Sequence, residues 1–258
     1  MGRYLTDEQI ARCRMELSLV YSLPYSSDLI GTAWEQILAE AKQGVWIAMR
    51  DNRARPDLYV QLPNGTRLNY SVKTEGLRIS TERRTAADFL GFQEDFIVAR
   101  PKVDDLLGPG EGIGTLSADQ LGAKVLQYYN EQIVRRYEWH VISFLLRVEN
   151  RDFIYWEEKP PVLYDPAEYW WRDSERATGG NRNINGYPRS VRTDQSPRPR
   201  AKFKWTSGGK QFYVLYTIPR DADTWTVDPV ELTLEEIREA LREKLRAKKR
   251  ILDEPSSS

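Results

Sequence analysis

The sequence is poor in two residue types that carry much of protein chemistry. Among its 258 residues there is one cysteine, Cys13, and one histidine, His140. A disulfide framework and a cysteine-based zinc site are therefore both excluded within one chain. Hydrolysis by a serine–histidine or cysteine–histidine pair would have to use His140 alone. Any metal ion is expected to be held by carboxylates, which favours a hard ion such as Mg²⁺.

Long apolar runs are also missing. There is no run of ~18 apolar residues, the length that can cross a bilayer. The polar start, MGRYLTDEQIARCR, lacks the apolar centre of a signal peptide. Apolar residues make up 40% of the chain and charged residues 29%, as in soluble globular proteins. We therefore expect a cytoplasmic protein that does not enter a membrane, built as a single domain over residues 1–258.

Neither sign of charge is in excess, but the charges are unevenly placed. The net charge at neutral pH is zero, which argues against a histone-like coating protein. Between residues 176 and 210 there is one acid, Asp194. The same stretch holds nine basic residues: Arg176, Arg182, Arg189, Arg192, Arg198, Arg200, Lys202, Lys204 and Lys210. Such local clustering is what contact with phosphates requires.

Hydrophobic periodicity predicts the secondary structure. Helices are predicted over residues 6–21, 29–43, 84–91, 117–136 and 231–252, of which 84–91 is short. Strands are predicted over residues 139–148, 153–157 and 212–218, while 160–199 is predicted to be irregular. Capping-box sequences, Thr6 to Gln9 and Thr233 to Glu236, open the first and last helices. This mixture predicts an α/β fold in which helices flank a mixed central β-sheet.

Residues 55–73 carry the most informative pattern, because apolar and polar positions alternate on both sides of Pro63-Asn64-Gly65. The alternation predicts a β-hairpin, and its turn decides the register. A two-residue turn would set Leu58 opposite Ser71 and would mismatch the apolar faces. A three-residue loop sets Leu58 opposite Tyr70. It also suits proline at the first position of a type I turn and glycine in the left-handed position.

The three-residue loop has a chemical consequence at the open end of the hairpin. It brings Asp57, Ser71 and Lys73 to one face of the sheet. A carboxylate beside a lysine suits phosphodiester hydrolysis, since the carboxylate can hold a divalent ion and the lysine can stabilise charge on the reacting oxygens. One carboxylate holds a metal ion poorly, so a second is needed. Glu35, on the preceding helix, and Glu75, further along the same strand face, are the two candidates.

These residues resemble a known family. Pro56-Asp57 followed by Ser71-Val72-Lys73 is similar to the PD-(D/E)XK nuclease motif, with Ser71 in place of the usual acid. The segment 29–38, which contains Glu35, resembles the leading helix of that fold. The resemblance implies a restriction-endonuclease-like fold with Asp57, Lys73 and Glu35 as catalytic residues. It further implies that Asp57, Glu35 and the Val72 carbonyl hold Mg²⁺.

Residues 160–210 are predicted to form a DNA-recognition insertion. Arginine can bind guanine and asparagine can bind adenine bidentately in the major groove, while lysine suits phosphates. The candidate DNA-binding residues are Arg172, Arg182, Asn183, Asn185, Arg189, Arg192, Lys202 and Lys204. The alternative is an ordinary mobile surface loop, although loops of this length are uncommon unless they are functional or disordered.

The sequence therefore favours a Mg²⁺-dependent, type II-like restriction endonuclease that cuts both strands of a specific DNA duplex. Symmetric cutting is easiest for a homodimer, and the resemblance implies a companion DNA methyltransferase. Ile237, Leu241 and Leu245 of the last helix are a candidate dimer contact. One alternative is a repair or recombination nuclease that recognises DNA structure. Others are a non-catalytic DNA-binding protein and an enzyme acting on a small phosphate or sugar.

Overall fold

A computed structural model describes residues 4–22, 31–47, 56–77, 85–148, 151–174, 181–191, 200–228, 233–239 and 242–243. The α-helices with assigned bounds in this part are α1 (Asp7–Ser22), α2 (Gly31–Ala41), α3 (Val103–Leu106) and α4 (Ala118–Tyr128). The strands are β1 (Val45–Trp46), β2 (Leu58–Gln61), β3 (Arg67–Leu77), β4 (Gln93–Ala99), β5 (Trp139–Val148), β6 (Asp152–Glu158), β7 (Tyr169–Asp173), β8 (Asn183–Pro188), β9 (Phe203–Thr206), β10 (Gln211–Thr217) and β11 (Asp223–Thr226). They form two β-sheets.

The first sheet has six strands in the order β1-β2-β3-β5-β6-β11. Strands β3 and β5 are parallel, and the other neighbours are antiparallel. The prediction of an α/β fold with a mixed central sheet is therefore confirmed. The strand predicted over 139–148 is also confirmed, because β5 has those bounds.

Strand β5 is apolar on both faces, and two hydrophobic cores result. Ile142 and Phe144 point to one side, where the second sheet and α4 pack. Val141 and Leu145 point to the other side, where α1 and α2 pack. A strand buried on both faces reads as a continuous apolar run, which explains the sequence of this segment.

The second sheet has five antiparallel strands in the order β4-β10-β9-β8-β7. The prediction that residues 160–199 are irregular is therefore wrong, since β7 and β8 lie within them. Large apolar side chains such as Trp171 and Ile184 face the core and alternate with polar residues such as Arg172 and Asn185. The apolar–polar alternation of β7 and β8 is typical of half-buried strands. It was missed because the segment is short and rich in polar residues.

The helix predicted over 117–136 is also corrected. Helix α4 passes into a π-helix, Tyr129–Arg135, and the short helix predicted over 84–91 is a 3₁₀-helix, Ala86–Phe89. Both predicted capping boxes are present, at Thr6 and at Thr233. Leu241 and Leu245 lie outside the described residues. In the part of the chain that the structure describes, no helix has the length and apolarity needed to span a membrane.

Candidate functional site

The site begins at the β2–β3 hairpin, whose predicted register is confirmed. Leu58 pairs with Tyr70 and Val60 pairs with Leu68. Gly65 has a φ of 84°, the left-handed conformation predicted for the last residue of the loop. Ordinary turn chemistry and matched apolar faces therefore suffice to determine this register.

Asp57 lies where β2 begins. Its main-chain N–H donates to the Tyr70 carbonyl at 2.8 Å, and its Oδ2 accepts the Val72 N–H at 2.6 Å. The carboxylate thus takes the place of a strand carbonyl at the end of the β2–β3 ladder. Burial raises the pKa of Asp57, while the charge of Lys73 and the Val72 N–H oppose that rise.

Glu35 lies on α2, close enough to Asp57 for the two charges to interact, and its side chain is unusually buried for a carboxylate. The residue is 7% exposed, and its Oε2 accepts the indole N–H of Trp46 at 3.1 Å. Burial raises the pKa of Glu35, and the neighbouring charge of Asp57 raises it further. Lys73 acts in the opposite direction on this pKa. The three side chains therefore form one electrostatically coupled group.

Lys73 is the cation of this group and is partly buried on β3. Its ammonium nitrogen lies 5.3 Å from the centre of the Trp139 ring, within cation–π range. Burial lowers the pKa of Lys73, while Asp57 and Glu35 raise it. Arg100, just after β4, lowers it further. The ammonium thus lies over an aromatic ring, and the charges of two carboxylates act on it.

The other predicted site residues are placed as follows. Ser71 is fully buried, and Val72 is buried with its N–H bound to Asp57. Glu75 is exposed, its Oε1 accepts the N–H of the adjacent Gly76, and the charge that raises its pKa is that of Glu94. Of the two candidates for a second carboxylate, Glu35 is therefore the one coupled to Asp57.

This donor set fits Mg²⁺. Across the described residues, no group of three or more histidine, cysteine, aspartate or glutamate side chains is placed to hold a metal ion. Mg²⁺, however, is usually bound by one or two carboxylates together with waters and substrate phosphates. A buried Glu35 and a partly buried Asp57, whose charge disfavours ionisation of Glu35, match that requirement, since a divalent cation would relieve the repulsion.

Three neighbours of the site were not predicted from the sequence: Trp46, Trp139 and Arg100. Trp46 and Trp139 come from β1 and β5, on opposite sides of the hairpin in the sheet order. Two aromatic residues at strand ends give no local signal of function. Only the strand order brings Trp46 to Glu35 and Trp139 to Lys73.

The basic segment divides into side chains with internal roles and side chains that face outward. The Arg182 guanidinium binds both Asp173 oxygens and the carbonyls of Ile113 and Leu116, at 2.6–3.2 Å. Lys202 donates to the Leu215 carbonyl at 2.6 Å. These two residues hold the fold together, so their assignment to DNA binding is not supported by their contacts.

The remaining candidates differ in their exposure. Arg189 is exposed and donates through Nε to the Ala167 carbonyl at 2.6 Å. Arg172, Asn183, Asn185 and Lys204 are partly exposed strand residues of the second sheet. Arg192 lies outside the described residues.

Comparison of the chain with known proteins found no matching family model, no similar curated protein and no similar solved structure. The fold and the site therefore carry the functional argument alone. They define an α/β protein in which two carboxylates and a lysine lie at the β2–β3 hairpin of a mixed sheet.

Proposed function

We propose that this protein is a Mg²⁺-dependent endodeoxyribonuclease of the restriction-endonuclease type. One observation supports the proposal above the others: Asp57, Glu35 and Lys73 come from three different elements and are electrostatically coupled in one place. Burying ionisable groups lowers the free energy of unfolding, so a protein that keeps such a group usually has a use for it. Perturbed ionisable groups of this kind cluster at functional sites.

Each side chain has a distinct role in this proposal. Bound Mg²⁺ would supply neutralisation of the phosphate and acidification of a water molecule. Asp57 and Glu35 would supply the two carboxylates that hold it. Lys73 donates a hydrogen bond to the attacking hydroxide or to a phosphate oxygen, where negative charge grows. Trp139 keeps the ammonium directed into the site.

The finer assignments are part of the same proposal. We propose that the first sheet is a variant of the restriction-endonuclease-like fold, with Ser71 where the usual acid would stand. The enzyme would act in the cytoplasm as a homodimer on a specific duplex site, and a companion methyltransferase would protect the host DNA. Two-fold symmetry of the protein then matches a palindromic site.

A structure-specific nuclease is the second candidate, and one observation favours it. The outward face of the second sheet carries cationic, amide and aromatic side chains in one row. Such a face suits unpaired nucleotides better than a duplex groove. Digestion of an unmethylated plasmid separates the two candidates, because discrete bands indicate sequence recognition and random nicks do not.

The test of the nuclease proposal uses two site variants and one control. Asp57→Asn and Lys73→Met should each reduce plasmid cleavage in Mg²⁺ by about 100-fold or more. DNA binding in Ca²⁺, measured by gel mobility, should remain. Glu75→Gln, on the same strand but outside the coupled group, should cleave normally. Full cleavage by either site variant would reject the proposal.

A further inference from the structure

The outward face of the second sheet holds a continuous row of hydrogen-bonding and charged side chains. Arg172 pairs with Asn185, Asn185 with Lys204, and Lys204 with Tyr213 in the strand register. Their strand neighbours Trp171, Ile184 and Phe203 face the core instead. Four adjacent strands therefore present aligned polar groups to solvent. In the described part of the chain, the Asn185 amide makes no internal hydrogen bond.

A stacked pair of aromatic rings lies beside this row. The rings of Trp170 and Tyr187 are stacked with centres 4.5 Å apart and planes 14° apart. The Trp170 N–H donates to the Val191 carbonyl at 3.3 Å, which fixes the ring. Arg172 covers Tyr187 and donates to its hydroxyl at 3.1 Å. Tyr187 is buried as a result, and Trp170, which is partly exposed, is the ring of the pair that solvent can reach.

The charge of this face is positive. Asp95 binds both Lys204 and Arg200, the latter at 3.3 Å, so one acid offsets one of two cations. Arg172 has no acidic partner among the described residues. The face therefore combines unneutralised positive charge with the exposed ring of Trp170 and the amide of Asn185.

Arg100 connects this face to the coupled carboxylates and lysine. Tyr213 pairs with Ile97 on β4, and Arg100 follows that strand directly. The charge of Arg100 acts both on Tyr213 and on Lys73, and at Tyr213 the carboxylates of Glu75 and Asp95 act in the opposite direction. The residue is exposed and forms no ion pair within the described ranges. A backbone phosphate could therefore meet Arg100 between the sheet face and Lys73.

We propose that the outward face of the second sheet binds unpaired nucleotides, stacking a base on Trp170 and leading the backbone past Arg100 toward Lys73. The proposal rests on the second candidate function above, the structure-specific nuclease, and names its substrate: a DNA strand with an unpaired segment beside the cleaved bond. Aromatic stacking and a cationic path are how proteins bind single strands.

The dimensions of the sheet argue against groove binding by this face. Five strands spaced about 4.8 Å apart make a surface about 19 Å across. The major groove is about 12 Å wide and admits a helix or a two-stranded ribbon. A five-stranded face cannot enter it, whereas bases that are unpaired can lie flat on such a surface.

Binding of a labelled oligothymidylate of about 16 nucleotides, measured by fluorescence anisotropy in Ca²⁺, tests the proposal. The Asp57→Asn background prevents cleavage during the measurement. We expect tighter binding of the single strand than of a duplex of the same length. Trp170→Ala should weaken single-strand binding about tenfold or more, and Trp170→Phe should restore most of it.

Arg100→Ala supplies an independent measurement. The slope of log affinity against log salt should fall by about 0.7, the loss of one phosphate contact on a single strand. Arg135→Ala, an exposed arginine of the π-helix, is the control and should leave the slope unchanged. Unchanged single-strand affinity in both Trp170→Ala and Arg100→Ala would overturn the proposal. Absence of cleavage by the wild-type protein, with these binding effects intact, would instead reject the nuclease function.

Discussion

The Oδ2 atom of Asp57 accepts a hydrogen bond from the Val72 N–H across the hairpin, at 2.6 Å. This bond ties the carboxylate to the residue immediately before Lys73. Any movement of β2 along β3 would therefore separate the acid from the lysine. The site is positioned by strand pairing, which is stiffer than a loop, and such stiffness is what preorganised catalysis requires.

The second metal ligand can be identified by thermal unfolding. Mg²⁺ in 100-fold excess over its dissociation constant should stabilise the protein by about 2.7 kcal/mol, since it binds the folded state. Glu35→Gln should lose most of this stabilisation, and Glu75→Gln should keep it. The opposite pattern would make Glu75 the ligand and would remove Glu35 from the site.

Gly122 of α4 should not tolerate a side chain. A Cβ atom there would lie 2.2 Å from the Trp171 ring, which is buried between α4 and the second sheet. Gly122→Ala should lower the free energy of unfolding by about 1–3 kcal/mol, the usual cost of overpacking. Urea denaturation measures it. Gly114→Ala is the control, since a Cβ there meets nothing within 4 Å. Equal stability of the two variants would contradict the packing.

Arg182 should contribute to stability and not to DNA affinity. Its guanidinium binds Asp173 and two main-chain carbonyls, and its side chain is 17% exposed. Arg182→Ala should therefore cost about 2 kcal/mol of unfolding free energy, because charged hydrogen bonds are lost and two partly buried carbonyls lose their donor. Arg189→Ala, at an exposed position, should change stability little. Unchanged stability with lost DNA binding in Arg182→Ala would reverse the assignment.

Glu158 should make stability fall as the pH rises. Burial raises its pKa, and the charge of Lys202 only partly opposes this. In the window above the usual range of a carboxyl pKa, the folded state therefore binds more protons than the unfolded state. The contribution to stability is present at acid pH and is lost as the pH rises through the folded pKa.

Replacing that carboxyl tests the sign. Glu158→Gln should show a flatter dependence of unfolding free energy on pH in this window than the wild type, as measured by urea denaturation. Glu40→Gln, on an exposed surface where Glu40 pairs with Arg12, is the control and should follow the wild type. A steeper fall in Glu158→Gln would show that the raised pKa is wrong.

Local chemistry determined the parts of this fold that depend on neighbours in sequence. The turn at Pro63-Asn64-Gly65, the alternation on either side of it and the capping boxes each follow from a few adjacent residues. Their energetics are set by backbone conformation and by short-range hydrogen bonds, which the order of residues specifies directly. The convergence of Asp57 and Lys73 could be predicted for that reason.

Only the tertiary structure decided what surrounds that pair. Glu35 arrives with α2, and Trp139 lies beside Lys73 because β5 pairs with β3 in parallel. The second sheet, with its outward row from Arg172 to Tyr213, likewise joins strands that are far apart in the chain. Which strands pair is determined by how the apolar faces of sheets and helices bury one another. No local pattern carries that information, since the same short alternating segment can pair with any strand that completes a core.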